Sequence, residues 1–412
     1  MVVDLNYIPK GWKKVKIPKV LFFQEGPGVR NWQFTETGVK LLNVGNINNG
    51  KIDLSKTSIH LSEEEANGKY KHFLVDDGDL LIACSGIVVD NFHNKIAFAK
   101  KEHLPLCLNT STMRFKALND EVDLNYFKYY LQTVHFTAQL RKLITGSAQL
   151  NFGPSHIKKI DLLLPPLETQ KHIARILDDA AALRNKTEQL TKEYDALGQS
   201  IFADMFGDPV RNEKGWKKNK LGKLGVFKNG LNYSKTENGN RLKVIGVGDF
   251  KHFSEIKNLD NISYIEMDDF PKDDFLLKDK DLLFVRSNGN KELVGRCLIV
   301  YVGNEKVSFS GFCIRFRRNS ISLNDNYLVQ LLQRAEFKKY IFKNGRGANI
   351  QNINQELLSN VEIQLPPIEL QNEFAKKITL IEKQKELAKQ ELKESENLFN
   401  CLLQKAFKGE LV

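Results

Sequence analysis

The sequence predicts an α/β chain written twice: two similar α/β domains separated by two long coiled-coil helices. Three observations predict it. The chain repeats itself at a spacing of about 201 residues, each copy opens with strand-like runs broken by Gly, Asn and Asp, and each copy closes in a long proline-free segment of good helix formers.

The repeat is read from short matches that keep their order. Gly11-Trp12-Lys13-Lys14 returns as Gly215-Trp216-Lys217-Lys218 at an offset of 204, and Val44-Gly45 returns as Val247-Gly248 at 203. Asp79-Leu80-Leu81 returns as Asp281-Leu282-Leu283 at 202, and Arg114-Phe115 as Arg315-Phe316 at 201. From Asn125-Tyr126 onward the offset stays at 201, through Gln170 and Gln371 to Phe206 and Phe407. A slowly drifting offset of this length means a duplicated domain, not a short-repeat solenoid.

Residues 1–165 and 208–365 form the two globular parts, in which runs such as Leu80-Leu81-Ile82-Ala83 and Leu282-Leu283-Phe284-Val285 read as strands. Residues 166–207 and 366–412 form the two spacer helices, and the prolines of Leu164-Pro165-Pro166-Leu167 and Leu365-Pro366-Pro367-Ile368 mark their entry points. In the first helix Ile173, Ile176, Ala180, Leu183, Thr187, Leu190, Tyr194, Leu197 and Ile201 alternate by 3 and 4, a heptad seam. Phe374, Ile378, Ile381, Ala388, Leu392, Phe399 and Leu402 line the second. Each helix of ~40 residues would span about 60 Å. Pairing with each other satisfies both seams at once; the alternative packs each helix on its own domain.

Charge separates the parts. The chain of 412 residues carries a net charge of +11. Residues 1–165 hold 21 basic and 16 acidic side chains and residues 208–365 hold 27 and 19, whereas the helical segments are net −2 and zero. The positive excess therefore lies on the globular parts, as expected if these meet phosphates and the helices meet protein. No basic amphipathic helix of the membrane-surface kind is present.

Other chemistry is excluded by missing motifs. Five scattered cysteines without a C-x-x-C pair argue against a disulfide framework or zinc ribbon and fit a reducing cytoplasm. No signal peptide and no run of ~18 apolar residues is found, so a soluble intracellular protein is expected. There is no phosphate-binding loop, Gly246-Val247-Gly248 does not continue into a dinucleotide fingerprint, and eight dispersed histidines lack ligand spacing.

Several segments together resemble the specificity subunit of type I restriction-modification enzymes, over the whole chain. They are Leu164-Pro165-Pro166-Leu167-Glu168-Thr169-Gln170 and Leu365-Pro366-Pro367-Ile368-Glu369-Leu370-Gln371, the junction from Phe206-Gly207-Asp208-Pro209-Val210 to Gly215-Trp216, and the C-terminal run from Gln404 to Leu411. The resemblance implies two α/β target-recognition domains on two long antiparallel coiled-coil helices, hence related by a pseudo-twofold axis, that read a split, asymmetric double-stranded DNA target, and helices that dock two methyltransferase subunits. It further implies motor-nuclease restriction subunits in the same complex. S-adenosylmethionine, ATP and Mg would then belong to those partner subunits, leaving this chain non-catalytic and without a cofactor of its own. The rival readings are a self-sufficient DNA-modifying enzyme with an unrecognised site, and a protein-only scaffold whose basic surface is incidental.

Base edges are read by Arg, Asn, Gln, Ser and similar side chains on exposed loops. Two pairs of matching loops supply them. After the Asp-Leu-Leu strands come Ser85 in one copy and Arg286, Ser287 and Asn288 in the other; further on come Ser147 and Gln149, matched by Arg346 and Asn349. The same residues also suit ordinary turn chemistry. The second loops precede short helices, whose N–H groups either hold a phosphate or are capped. Trp12 and Trp216 open the two domains and are expected to pack in the cores, the alternative being base stacking.

Overall fold

The computed structural model describes residues 7–55, 57–144, 149–233, 239–250, 255–290, 292–343 and 352–411. The chain divides into two compact units, Met1–Glu188 with Gln390–Val412, and Gln189–Lys389.

In the first unit Leu21–Glu25, Thr112–Ala117, Leu80–Ala83 and Ile96–Phe98 form one antiparallel sheet in that spatial order. Leu80–Ala83 is buried along its whole length because both faces are covered: Leu80 and Ile82 join the main core with Phe115, Tyr126 and Phe127, while Leu81 joins a smaller cluster with Leu42 and Leu106. That is why it reads as a continuous apolar run and not as an alternating one. Val39–Leu42 pairs in parallel with Leu106–Leu108 and antiparallel with His60–Leu61, and Lys13–Lys16 pairs with Asp161–Leu164.

The second unit repeats this plan. Gly225–Asn229, Cys313–Arg318, Asp281–Val285 and Cys297–Val300 lie in the same order, with Glu255–Ile256 added in parallel at the edge. Leu80 faces Phe115 and Leu282 faces Phe316, so the duplication extends to strand register. Leu282 and Phe284 enter one core, Leu283 and Val285 another.

The two long helices, Leu167–Phe206 and Ile368–Phe407, each contain 40 residues. In the first unit Ile173, Leu177 and Ala180 from the opening of one share a core with Phe399, Leu403 and Phe407 from the end of the other. In the second unit Phe202 and Phe206 meet Phe374, Ile378 and Ile381. Within each unit, then, the start of one helix packs on the end of the other, which is antiparallel pairing.

The seam of the first helix differs from the sequence expectation at two positions. Ile173, Ala180 and Thr187 are buried, but Leu183 and Leu197 are 51% and 45% exposed. Their inward places go to the next residue: Arg184 lies over the Phe399 ring at 5.0 Å, and Gly198 turns a face on which a Cβ would meet Ile378 Cδ1 at 3.5 Å. The second helix follows expectation, with Lys385, paired to Asp195, and Ser395 completing its seam.

One buried clamp fixes the start of each helix. Gln170 is fully buried; its Nε2 donates to the carbonyls of Glu121 and Pro165, both at 2.8 Å, and its Oε1 accepts the Asp123 N–H at 2.9 Å. Gln371 repeats the set with Ser322 at 3.0 Å, Pro366 at 2.7 Å and the Asn324 N–H at 2.9 Å. The hydroxyl of Tyr126 donates to Leu163, and that of Tyr327 to Gln364.

Candidate nucleic-acid interface

Ser85 follows a buried strand and is half-buried on a tight bend. Its hydroxyl donates to Asn151 Oδ1 at 3.0 Å, and the same oxygen accepts the Gly86 N–H at 2.8 Å. Gln149 opens a two-residue strand, Gln149–Leu150, that pairs antiparallel with Ile87–Val88. The two loops selected in the first domain therefore lie side by side. Ser147 falls outside the described residues.

The second domain joins its loops in the same way. Ser287 bridges to Asn352, and the Ile353 N–H donates to the Arg286 carbonyl at 2.9 Å. Asn288 Oδ1 accepts the Asn290 N–H at 2.7 Å, the bond of an Asx turn. Arg346 and Asn349 fall outside the described residues. Turn bonds hold Ser85 and Asn288, while the guanidinium of Arg286 donates through Nη1 to the Gly311 carbonyl at 3.3 Å.

That last bond reveals a third loop, which the sequence reading missed. In the first domain the Cys84 N–H donates to Ser111 O at 2.9 Å, the Phe152 N–H to Cys84 O at 3.0 Å, and the Gly26 N–H to Thr112 O at 3.0 Å. In the second the matching donors are Arg286 to Phe312 O at 2.8 Å, Ile353 to Arg286 O, and Gly230 to Cys313 O at 3.1 Å. The same frame of backbone bonds thus ties several loops together at one end of each sheet. Its one sequence signal is that the turn before a repeated strand diverges, Thr110-Ser111 against Gly311-Phe312.

The short helices behind these loops are Pro154–Ile157 and Gln355–Asn360. Asn354 caps the second, its side-chain oxygen accepting the Leu357 N–H at 2.7 Å, so capping already uses one of the N–H groups that could have faced a phosphate. Trp12 packs edge-on against Tyr126 and Phe407, a core-packing role, while the half-buried Trp216 donates through Nε1 to the Phe206 carbonyl at 2.9 Å.

Burial pushes the thiols of Cys84, Cys107, Cys297 and Cys313 up to about 12, so none is a thiolate nucleophile at neutral pH. Beside the first loop cluster, burial also raises the Glu25 carboxyl. Among the described residues no group of three or more His, Cys, Asp or Glu could hold a metal ion, and no helix is long and apolar enough to cross a membrane.

Comparison with known proteins agrees with this construction. A specificity subunit of the type I restriction enzyme StySPI from Salmonella potsdam is 26% identical, over 98% of this chain and 90% of the relative. The EcoKI specificity subunit of Escherichia coli K12 is 22% identical over the same shares. Among solved structures, the type I restriction-modification S subunit from M. genitalium superposes with a TM-score of 0.56 at 16% identity, covering 98% of this chain and 97% of that one. A chain from a study of complex assembly and conformational transition in the type I R-M system gives 0.58 at 18%, covering 98% and 99%. The "Type I restriction modification DNA specificity domain" matches twice, at residues 9–193 and 213–397, and the chain belongs to that family.

Proposed function

We propose that this chain is the DNA sequence-specificity subunit of a type I restriction-modification complex, each domain reading one half of a bipartite, asymmetric DNA target. The observation that carries this reading is the bonded loop frame found in both domains with different side chains on it: Cys84, Ser85 and Ser111 in one, Arg286, Ser287 and Phe312 in the other. One frame places contacts alike, and different side chains read different bases. Ser147, Gln149, Arg346 and Asn349 belong to the same proposal.

The long helices act as a ruler and as the docking site for two methyltransferase subunits. Leu183, Leu197, Leu380, Leu387 and Leu398 are exposed on them, an apolar surface that suits partner helices. Changing Leu183 and Leu387 together to Glu is expected to lower the amount of co-purified methyltransferase at least about tenfold, since each leucine buried at an interface contributes about 1.5 kcal/mol or more. Equal yields in a quantitative pull-down would sink the docking assignment. Restriction subunits with motor and nuclease activity complete the assembly. S-adenosylmethionine, ATP and Mg are bound by those partners, and this chain is non-catalytic and cytoplasmic.

The test is selection from randomised duplexes by this chain co-expressed with its methyltransferase partner, at physiological salt. A bipartite motif with a fixed unread spacer is expected. Inserting one heptad into both helices should lengthen that spacer by ~10 Å, or about three base pairs, with both half-sites unchanged. Salt-sensitive binding with no motif would overturn the specificity reading, and methylation or cleavage by the isolated chain would replace it with a self-sufficient enzyme.

A further inference from the structure

The turn Ser310-Gly311-Phe312 is where the two copies of the frame part company. Phe312 is 64% exposed, although it stands directly before a fully buried strand residue, Cys313. A solitary exposed aromatic is common on protein surfaces and by itself carries no meaning. The backbone that carries this one is held by several bonds. The Phe312 N–H donates to Ser310 Oγ at 3.1 Å and its carbonyl accepts the Arg286 N–H, while the Gly311 N–H donates to Leu231 O at 2.7 Å.

The neighbouring loop approaches so closely that side chains are excluded on both sides. A Cβ on Gly311 would stand 2.1 Å from Asn232 Oδ1, and one on Gly230 would stand 2.1 Å from Ser310 O. The Arg286 guanidinium adds its bond to the Gly311 carbonyl. The matching residue of the first domain, Ser111, turns inward instead, its hydroxyl accepting the Val44 N–H at 3.1 Å. The same bonded backbone thus carries an inward hydroxyl in one domain and an exposed phenyl ring in the other.

We propose that Phe312 is a specificity-determining residue of the second domain, and that its ring contacts the 5-methyl group of one thymine in the major groove. Within the groove the thymine methyl is the apolar feature that an aromatic side chain can distinguish, and the polar groups of the adjoining loop are of the kind that read base edges there. Arg286 is then a positioning residue for this turn as well as a neighbour of the bases. A turn whose backbone is already fixed before binding loses little conformational freedom on contact. The inference rests on the function proposed above.

The experiment uses the complex with the methyltransferase partner and replaces each thymine of the second half-site in turn by deoxyuridine, which lacks only the methyl. The unaltered protein is expected to lose about fourfold in affinity at one position, the size of one methyl group taken out of water. Phe312→Ala should bind both duplexes alike at that position, Phe312→Leu should keep part of the discrimination, and the first half-site should be read unchanged by both, which also reports that they are folded. Retained thymine–uracil discrimination in Phe312→Ala, or none in the unaltered protein despite an enriched motif, would overturn this inference alone. Failure of the unaltered protein to enrich any motif would remove the functional reading beneath it.

Discussion

Replacing Asp281 by Ala is expected to cost the second unit about 3–5 kcal/mol, the range for breaking a buried ion pair from one side. Asp281 is 1% exposed and accepts from Arg317 Nε at 2.8 Å, Arg317 Nη2 at 2.7 Å and the Lys278 N–H at 2.8 Å. The hydrogen bond to Asp281 is also the largest influence holding the Arg317 guanidinium above its ordinary pKa. Without the carboxylate, Arg317 would be left beside Arg315, whose own pKa is lowered by burial and then by Arg317. Denaturant unfolding followed by the Trp216 signal measures the loss; a change under about 1 kcal/mol would show that the pair is dispensable.

The equivalent carboxylate of the first unit should behave differently. Asp79 meets Arg114 at 3.3 Å and Lys116 at 3.4 Å, without the two-pronged geometry. Burial raises its pKa despite both cations. A carboxyl that binds protons more tightly folded than unfolded makes stability fall as pH rises through the carboxylate range. Asp79→Asn should remove that slope and be tolerated better than Asp281→Asn.

Gln371→Leu is expected to destabilise the second unit by about 3 kcal/mol, because three backbone groups lose their partner in a dry interior at about 1 kcal/mol or more each. Ser322 O, Pro366 O and the Asn324 N–H would all be orphaned while the side-chain volume stays nearly constant. Gln371→Glu makes the cause visible. A carboxylate can accept from Asn324 but donates to neither carbonyl, so this variant should be at least as unstable at neutral pH and recover partly on acidification, when the carboxyl regains a donor. Equal stability of Leu and Glu variants at every pH would argue that packing, not hydrogen bonding, sets the role of this side chain.

Gln371 also shows what could be read in advance. The duplication was legible because matched glutamines, Pro-Pro pairs and strand motifs keep their order, and the structure reproduces the copies down to the bonds of Gln170 and Gln371. What the glutamines do was not legible, since two of the three partners of each are backbone atoms nearly 50 residues away. Two of the nine positions of the first seam were misplaced for a physical reason: heptad spacing of apolar residues selected Leu183 and Leu197, whereas the inward places went to Arg184, whose cation sits on a ring, and to Gly198, whose missing side chain admits Ile378. In the candidate interface, the loops at Ser85 and Arg286 could be found by position after a strand. The turn at Ser111 and Phe312 left only its divergence before a repeated strand as a signal, because its membership depends on hydrogen bonds to loops more than 20 residues away in sequence, Cys84 to Ser111 and Arg286 to Phe312.

The composition of the first unit bears on how the chain is made. Its core contains Phe399, Leu403 and Phe407, packed with Tyr126, Tyr129 and Tyr130, yet these residues are translated after the entire second unit. At ribosomal speeds of about 5–20 residues per second, roughly 200 intervening residues impose a wait of ~10–40 s. Throughout that interval the nascent first domain exposes an aromatic face with no occupant, while the second domain receives its closing segment, Phe202 and Phe206, before its own sheet is synthesised. The later-made half can therefore complete itself first, and the earlier-made half is the one whose core waits for the last-made segment of the chain.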